Sequence, residues 1–153
     1  MLQRRPEIEL LEQVERLARQ LRTTMAARLP VSPTTFQVLQ ALADGAETSP
    51  AGLAAMLGLG KPALTAILQR LQADGLVTVE AHASDGRRKS VKATAAGLAL
   101  HREAQRSLRP YAEALRARFP ENDCRAVLPM LAALSAFLSE LSAPDAPAGV
   151  IRR

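Results

Sequence analysis

Three residues, Gly58-Leu59-Gly60, separate two short apolar-striped segments, and that gap restricts the fold more than any other feature of the chain. The first segment opens at Ser49-Pro50, an N-cap followed by proline in the first turn. It carries Leu53, Met56 and Leu57 before Gly58 stops it. The second begins near Lys61-Pro62 and places Leu64, Ile67, Leu68 and Leu71 on one face before Asp74-Gly75 breaks it. Two short helices joined by so tight a glycine turn carry the signature of a helix-turn-helix. The repeat then changes from that of a helix to that of a strand. Leu76-Val77-Thr78-Val79-Glu80 alternates outward and Lys89-Ser90-Val91-Lys92-Ala93-Thr94 alternates back. Asp85-Gly86 between them is expected to form the hairpin turn, which demands positive φ angles.

Helices flank this unit on both sides. One runs from Pro6 to about Arg28 with Leu10, Val14, Leu17, Leu21 and Met25 on one stripe. Its acids Glu7, Glu9, Glu12 and Glu15 precede Arg16, Arg19, Arg22 and Arg28, an order that complements the helix dipole. Another opens at Ser32-Pro33 and ends at Asp44-Gly45, with Phe36, Val38, Leu39 and Leu42 inward. Thr94 is expected to cap a fifth helix running from Ala95 to about Phe119 through Leu98, Leu108, Tyr111 and Leu115, kinked or interrupted at Pro110. After Pro120-Glu121-Asn122-Asp123 a last helix carries Val127, Leu128, Leu131, Leu134, Leu138 and Leu141, with Pro129 placed in its first turns. The apolar fraction of 48% is mostly Leu and Ala, with three Phe, one Tyr and no Trp, which also favours helix. The expected fold is therefore mainly α, about six helices and a two-stranded wing. Residues 31–97 form the winged unit, 1–30 plus 98–142 a helical dimerisation region, and 143–153 a loosely ordered Ala/Pro-rich tail.

A net charge of +5 points to an anionic partner, nucleic acid or an acidic membrane surface. No run is expected to approach the roughly 20 apolar residues that span a bilayer. The N-terminus lacks a signal-peptide apolar core, and the single Cys124 fits a reducing cytoplasm. One cysteine and two separated histidines make a metal site improbable. No nucleophile–base pair, phosphate-cradling glycine loop or paired carboxylates stand at useful spacing, so an enzyme is not expected.

Arg87, Arg88, Lys89 and Lys92 crowd four cations onto the hairpin beside the second short helix. A helix fits the major groove of a duplex, and arginine matches the negative potential of the minor groove. With its leucines buried, the second helix turns Pro62, Thr65, Ala66, Gln69 and Ala73 outward, flanked by Lys61 and Arg70. The stripes on the long helices exceed what a small winged unit can cover. They call for a two-fold dimer, the alternative being an intramolecular helical bundle. A rival function is a winged helix that binds an acidic protein and reads no DNA sequence.

These residues resemble the MarR (multiple-antibiotic-resistance regulator) family of winged helix-turn-helix transcriptional regulators. The family's wing pattern, Asp-x-Arg, then Leu-Thr, then Gly, appears as Asp85-Gly86-Arg87, Ala93-Thr94 and Gly97 with its spacing intact and Ala93 for the usual Leu. Gly52 to Leu59, Lys61 to Thr65 and Gln69 to Val77 look like the family's third and fourth helices and the entry to the wing. The resemblance implies that Arg87 enters the minor groove, that Asp85 orients it, and that Thr65 contacts DNA. Gly60 stands where the family often has Ser, and Ala66 where it often has Arg, so base readout leans on Lys61, Thr65 and Gln69. The DNA-contacting set expected is Lys61, Pro62, Ala63, Thr65, Gln69, Arg70, Asp85, Arg87, Arg88 and Lys89. The resemblance also implies a cytoplasmic homodimeric repressor on a pseudo-palindromic operator. It implies no cofactor, but a small aromatic or anionic effector, for which Arg16, Arg19, His101 and Tyr111 are the candidates.

Overall fold

The computed structural model describes residues 5–45, 49–82 and 85–142. Among them lie helices α1 (Pro6–Ala26), α2 (Pro33–Ala43), α3 (Pro50–Leu57), α4 (Lys61–Ala73), α5 (Ala95–Ser107), α6 (Arg109–Arg118) and α7 (Glu121–Ser142). Strands β1 (Val77–His82) and β2 (Asp85–Ala93) pair antiparallel between α4 and α5. The architecture is a mainly α winged helix-turn-helix with long flanking helices.

Local chemistry starts and stops these elements. Ser32 accepts a hydrogen bond from the Thr35 amide and Ser49 one from the Gly52 amide, each followed by proline at the first helical position. Gly58 ends α3 in the left-handed region at φ 62°, and the Leu59 amide turns back to the Ala54 carbonyl at 2.9 Å. That reversal sets the axes of α3 and α4 at 116°. Gly60 opens α4 with no side-chain cap, so backbone and water must serve its first amides.

One core holds the winged unit together. Val38 and Leu39 of α2, Leu53 of α3, Leu64 of α4, Val77 of β1 and Val91 of β2 are fully buried around a common centre. The outer helices differ sharply. Neither α1 nor α6 buries a residue, and Leu17, Leu21, Leu115, Phe119, Val127, Leu128 and Met130 stay exposed.

The fifth helix is interrupted at Leu108, as Pro110 leads one to expect, giving separate α5 and α6, because Pro110 has no amide hydrogen to return to the Arg106 carbonyl. Three expectations need correction. Pro129 lies well inside α7, since that helix starts at Glu121, and the Arg125 carbonyl loses its intrahelical donor. Asp85-Gly86 is not the turn: Asp85 pairs with His82 in the ladder, so the link falls on residues 83–84, outside the described residues. Finally, Glu121–Leu141 is long and apolar enough to cross a membrane, with mean hydropathy 1.5, because its charges gather at its ends. Most of its bulky side chains nonetheless share one sector: Val127, Met130, Leu131, Leu134, Phe137, Leu138 and Leu141 lie within about 120° by helical periodicity, with Leu128 outside it. The tail, 143–153, lies outside the described residues.

Candidate nucleic-acid interface

Burial divides α4 cleanly. Leu64, Leu68 and Leu71 are inside, Ile67 is half-buried, and Lys61, Pro62, Ala63, Thr65, Ala66, Gln69, Arg70 and Ala73 are exposed. The outward face predicted from the repeat is thus the one the core leaves free. Lys61 and Pro62 open the helix, so small and cationic groups sit at its leading end. Thr65 departs in one respect. Its hydroxyl donates to the Lys61 carbonyl at 2.8 Å, so towards an outside partner it offers acceptor lone pairs and a methyl group. Gln69 is exposed, and its side-chain amide has no hydrogen-bond partner among the described residues.

The wing rises directly from α4. Val79 pairs with Val91 and Val77 with Ala93, which buries Val77 and Val91 and turns Thr78, Glu80 and Lys92 to solvent. Lys92 Nζ lies 4.0 Å from Glu80 Oε2 across the ladder. Ala81 pairs with Lys89 while its neighbour His82 pairs with Asp85, so residues 86–88 form an irregularity in β2. Bulges of this kind re-aim side chains and strengthen twist. Lys89 is exposed. The side chains of Asp85, Arg87 and Arg88 lie outside the described residues, and only their backbone course in β2 is fixed.

Thr94 ties the base of the wing to both neighbouring helices. Its hydroxyl donates to the Gly75 carbonyl at 2.7 Å and accepts from the Gly97 amide at 3.1 Å. The Thr94 amide donates to the Leu76 carbonyl at 3.0 Å. One residue thereby caps α5 and holds the α4–β1 junction, so the wing and α4 share a rigid root.

The four effector candidates do not gather. Arg16 is exposed on α1. Arg19 is exposed and engaged by Glu15, whose hydrogen bond and then charge hold its guanidinium above the ordinary pKa. His101 is buried on α5, stacked on Phe36 with ring centroids 5.7 Å apart, and bonded to Gln40 at 2.8 Å. Gln40 Nε2 donates to Asp44, which turns its Oε1 towards the ring, so His101 Nε2 carries the proton. Tyr111 donates to the Thr24 carbonyl at 3.2 Å, and Arg28 stands over its ring 5.8 Å from the centroid. Sequence reading missed Gln40 and Arg28. Only the four-residue spacing of Gln40 and Asp44 could have hinted at the first. Cys124 is half-buried near the start of α7, and no group of three or more potential metal ligands gathers among the described residues.

Comparison with known proteins agrees with this geometry. Residues 29–88, spanning α2 to the wing, match the MarR family. The transcriptional regulator BldR from Sulfolobus solfataricus superposes with a TM-score of 0.74 at 23% identity, over 91% of this chain and 99% of that one. The transcriptional repressor CouR, solved bound to a 23-mer DNA duplex, gives 0.71 at 24% identity over 88% and 99%. NadR in complex with 4-hydroxyphenylacetate gives 0.70 at 24% over 88% and 95%. No curated protein matches the chain. The winged segment thus matches the MarR family, and the fold built around it is similar to that of these solved regulators.

Proposed function

We propose that this protein is a homodimeric transcriptional repressor of the cytoplasm that occupies a pseudo-palindromic operator and is released by a small aromatic or anionic ligand. The observation that carries the reading is the division of labour in the chain. Residues 31–97 complete their own core and still present an exposed, small-residue and cationic α4 face beside a basic wing. The helices α1, α6 and α7 leave apolar side chains uncovered, as a dimerisation region requires. In this reading α4 enters the major groove with Lys61, Thr65 and Gln69 leading. Pro62 and Ala63 allow close approach, and Arg70, Arg88 and Lys89 meet phosphates. Arg87, set in the bulged part of β2 and oriented by Asp85, enters the adjacent minor groove.

The DNA-bound CouR and the 4-hydroxyphenylacetate-bound NadR share this fold and support the two kinds of ligand. For an anionic effector, Tyr111 and the Arg28 guanidinium over it form the one aromatic–cation pair among the described residues.

A binding-site selection followed by gel-shift titration tests the reading. An enriched inverted repeat, bound at least tenfold more weakly by Arg87→Ala protein that still dimerises, is the expected result. No enriched sequence would favour a wing that binds acidic protein instead.

A further inference from the structure

Two surfaces far apart in the protomer complement each other, and what they imply rests on the homodimer proposed above. The outward side of α5 and the start of α6 place Arg102, Arg106 and Arg109 one and two turns apart, around a groove of about 470 Å3 that Leu108 and Ala112 help to line. Arg109 bonds Glu113 at 3.1 Å, whereas Arg102 and Arg106 have no ion-pair partner among the described residues. Like charges one turn apart repel each other. This rim is therefore completed only by an anion that also brings apolar surface.

Such a group stands at the head of α1. Glu7 precedes Leu10, Leu11 and Val14 by three, four and seven residues, so this acid shares the face of the apolar stripe. Leu10 and Leu11 are 43% and 48% exposed, and Glu7 is exposed without an ion-pair partner among the described residues. Covering that stripe with a purely apolar surface would strand the carboxylate away from water. The covering surface needs cations at one end.

Glu7 cannot reach the groove of its own protomer. The bond from Tyr111 to the Thr24 carbonyl fixes the start of α6 against the last turns of α1. Seventeen residues of helix then separate Thr24 from Glu7, roughly 25 Å at the helical rise. We propose that in the homodimer the first turns of α1 of one protomer, Glu7 with Leu10 and Leu11, seat in the Arg102–Arg106–Arg109 groove of a second copy. Two-fold symmetry makes the contact twice.

Charge exchange on the full chain tests this by sedimentation equilibrium. Glu7→Arg alone, and Arg102→Glu with Arg106→Glu, should each raise the dimer dissociation constant by about tenfold or more, since each change acts at both contacts. Mixed in equal amounts, the two variants restore opposite charges at both contacts of the heterodimer, which should recover wild-type affinity to within about threefold. All these positions are exposed, so circular dichroism should be unchanged. The milder Glu7→Gln and Arg106→Gln should weaken the dimer in the same direction. Variants that dimerise like wild type, or a mixture that fails to recover, would overturn the contact while leaving the homodimer standing. So would inorganic phosphate binding that vanishes in the glutamate variant while its dimer is unaltered. A wild-type chain that sediments as a protomer at every concentration would remove the homodimer itself, a distinct failure.

Discussion

Gly97 lies so close to the Leu76 carbonyl that a methyl group on its α-carbon would overlap the oxygen. The obstacle is backbone held by the Thr94 amide, so no rotamer change relieves it. Gly97→Ala should force α5 away from the α4–β1 junction, at a cost of about 1–3 kcal/mol or more. Urea denaturation measures this. Unchanged stability would mean that the junction is not the rigid root described above.

Thr94 makes the complementary contact, and substitution separates its two hydrogen bonds from its methyl group. Thr94→Ala loses the α5 cap and the bond to Gly75, which should cost about 1–2 kcal/mol. Thr94→Ser keeps both and should lose far less in the same denaturation series. Equal losses for both would assign the effect to the methyl group instead.

The buried pair His101–Gln40 joins residues on α5 and α2 that are far apart in sequence. His101→Phe keeps the stack on Phe36 but leaves Gln40 Oε1 without its donor, for an expected loss of about 1–3 kcal/mol. In a double-mutant cycle with Gln40→Leu most of that loss should disappear, because the stranded acceptor goes too. Additive losses would deny the bond any energetic role.

Arg70 lies in the last turn of α4 and is exposed. As a phosphate contact it sets part of the salt dependence, so Arg70→Ala should lower the slope of log affinity against log salt by about 0.9. Gln69→Ala, by contrast, should broaden the selected consensus at one position with little change in slope. Interchanged behaviour of the two variants would reverse their assigned roles.

Signals confined to a few residues were legible from sequence. Ser32, Ser49 and Thr94 cap the helices they were expected to cap, and Gly58 adopts the left-handed turn that separates α3 from α4. The free face of α4 followed from its leucines. What escaped depended on distant partners. Asp85-Gly86 is a strong local turn signal, yet burying Val91 against the α2–α4 core fixes its pairing with Val79, and the ladder then extends past the expected turn. Pro120 to Asp123 has the local composition of a loop, which puts Pro129 early in the helix, whereas Glu121 and Asp123 form an acidic first turn. Among the effector candidates, Arg16, Arg19 and His101 stand on charge alone. Arg19 is already engaged by Glu15, and His101 serves the core, facts that no spacing reveals.

The central claim is that two copies of this chain present paired α4 helices and wings to one duplex. Hydroxyl-radical footprinting of wild-type protein on its selected operator tests it most directly. The account predicts two protected half-sites centred about 10 base pairs apart, flanked by minor-groove protection that Arg87→Ala abolishes. A single protected stretch without two-fold symmetry, or flanks indifferent to Arg87, would contradict it.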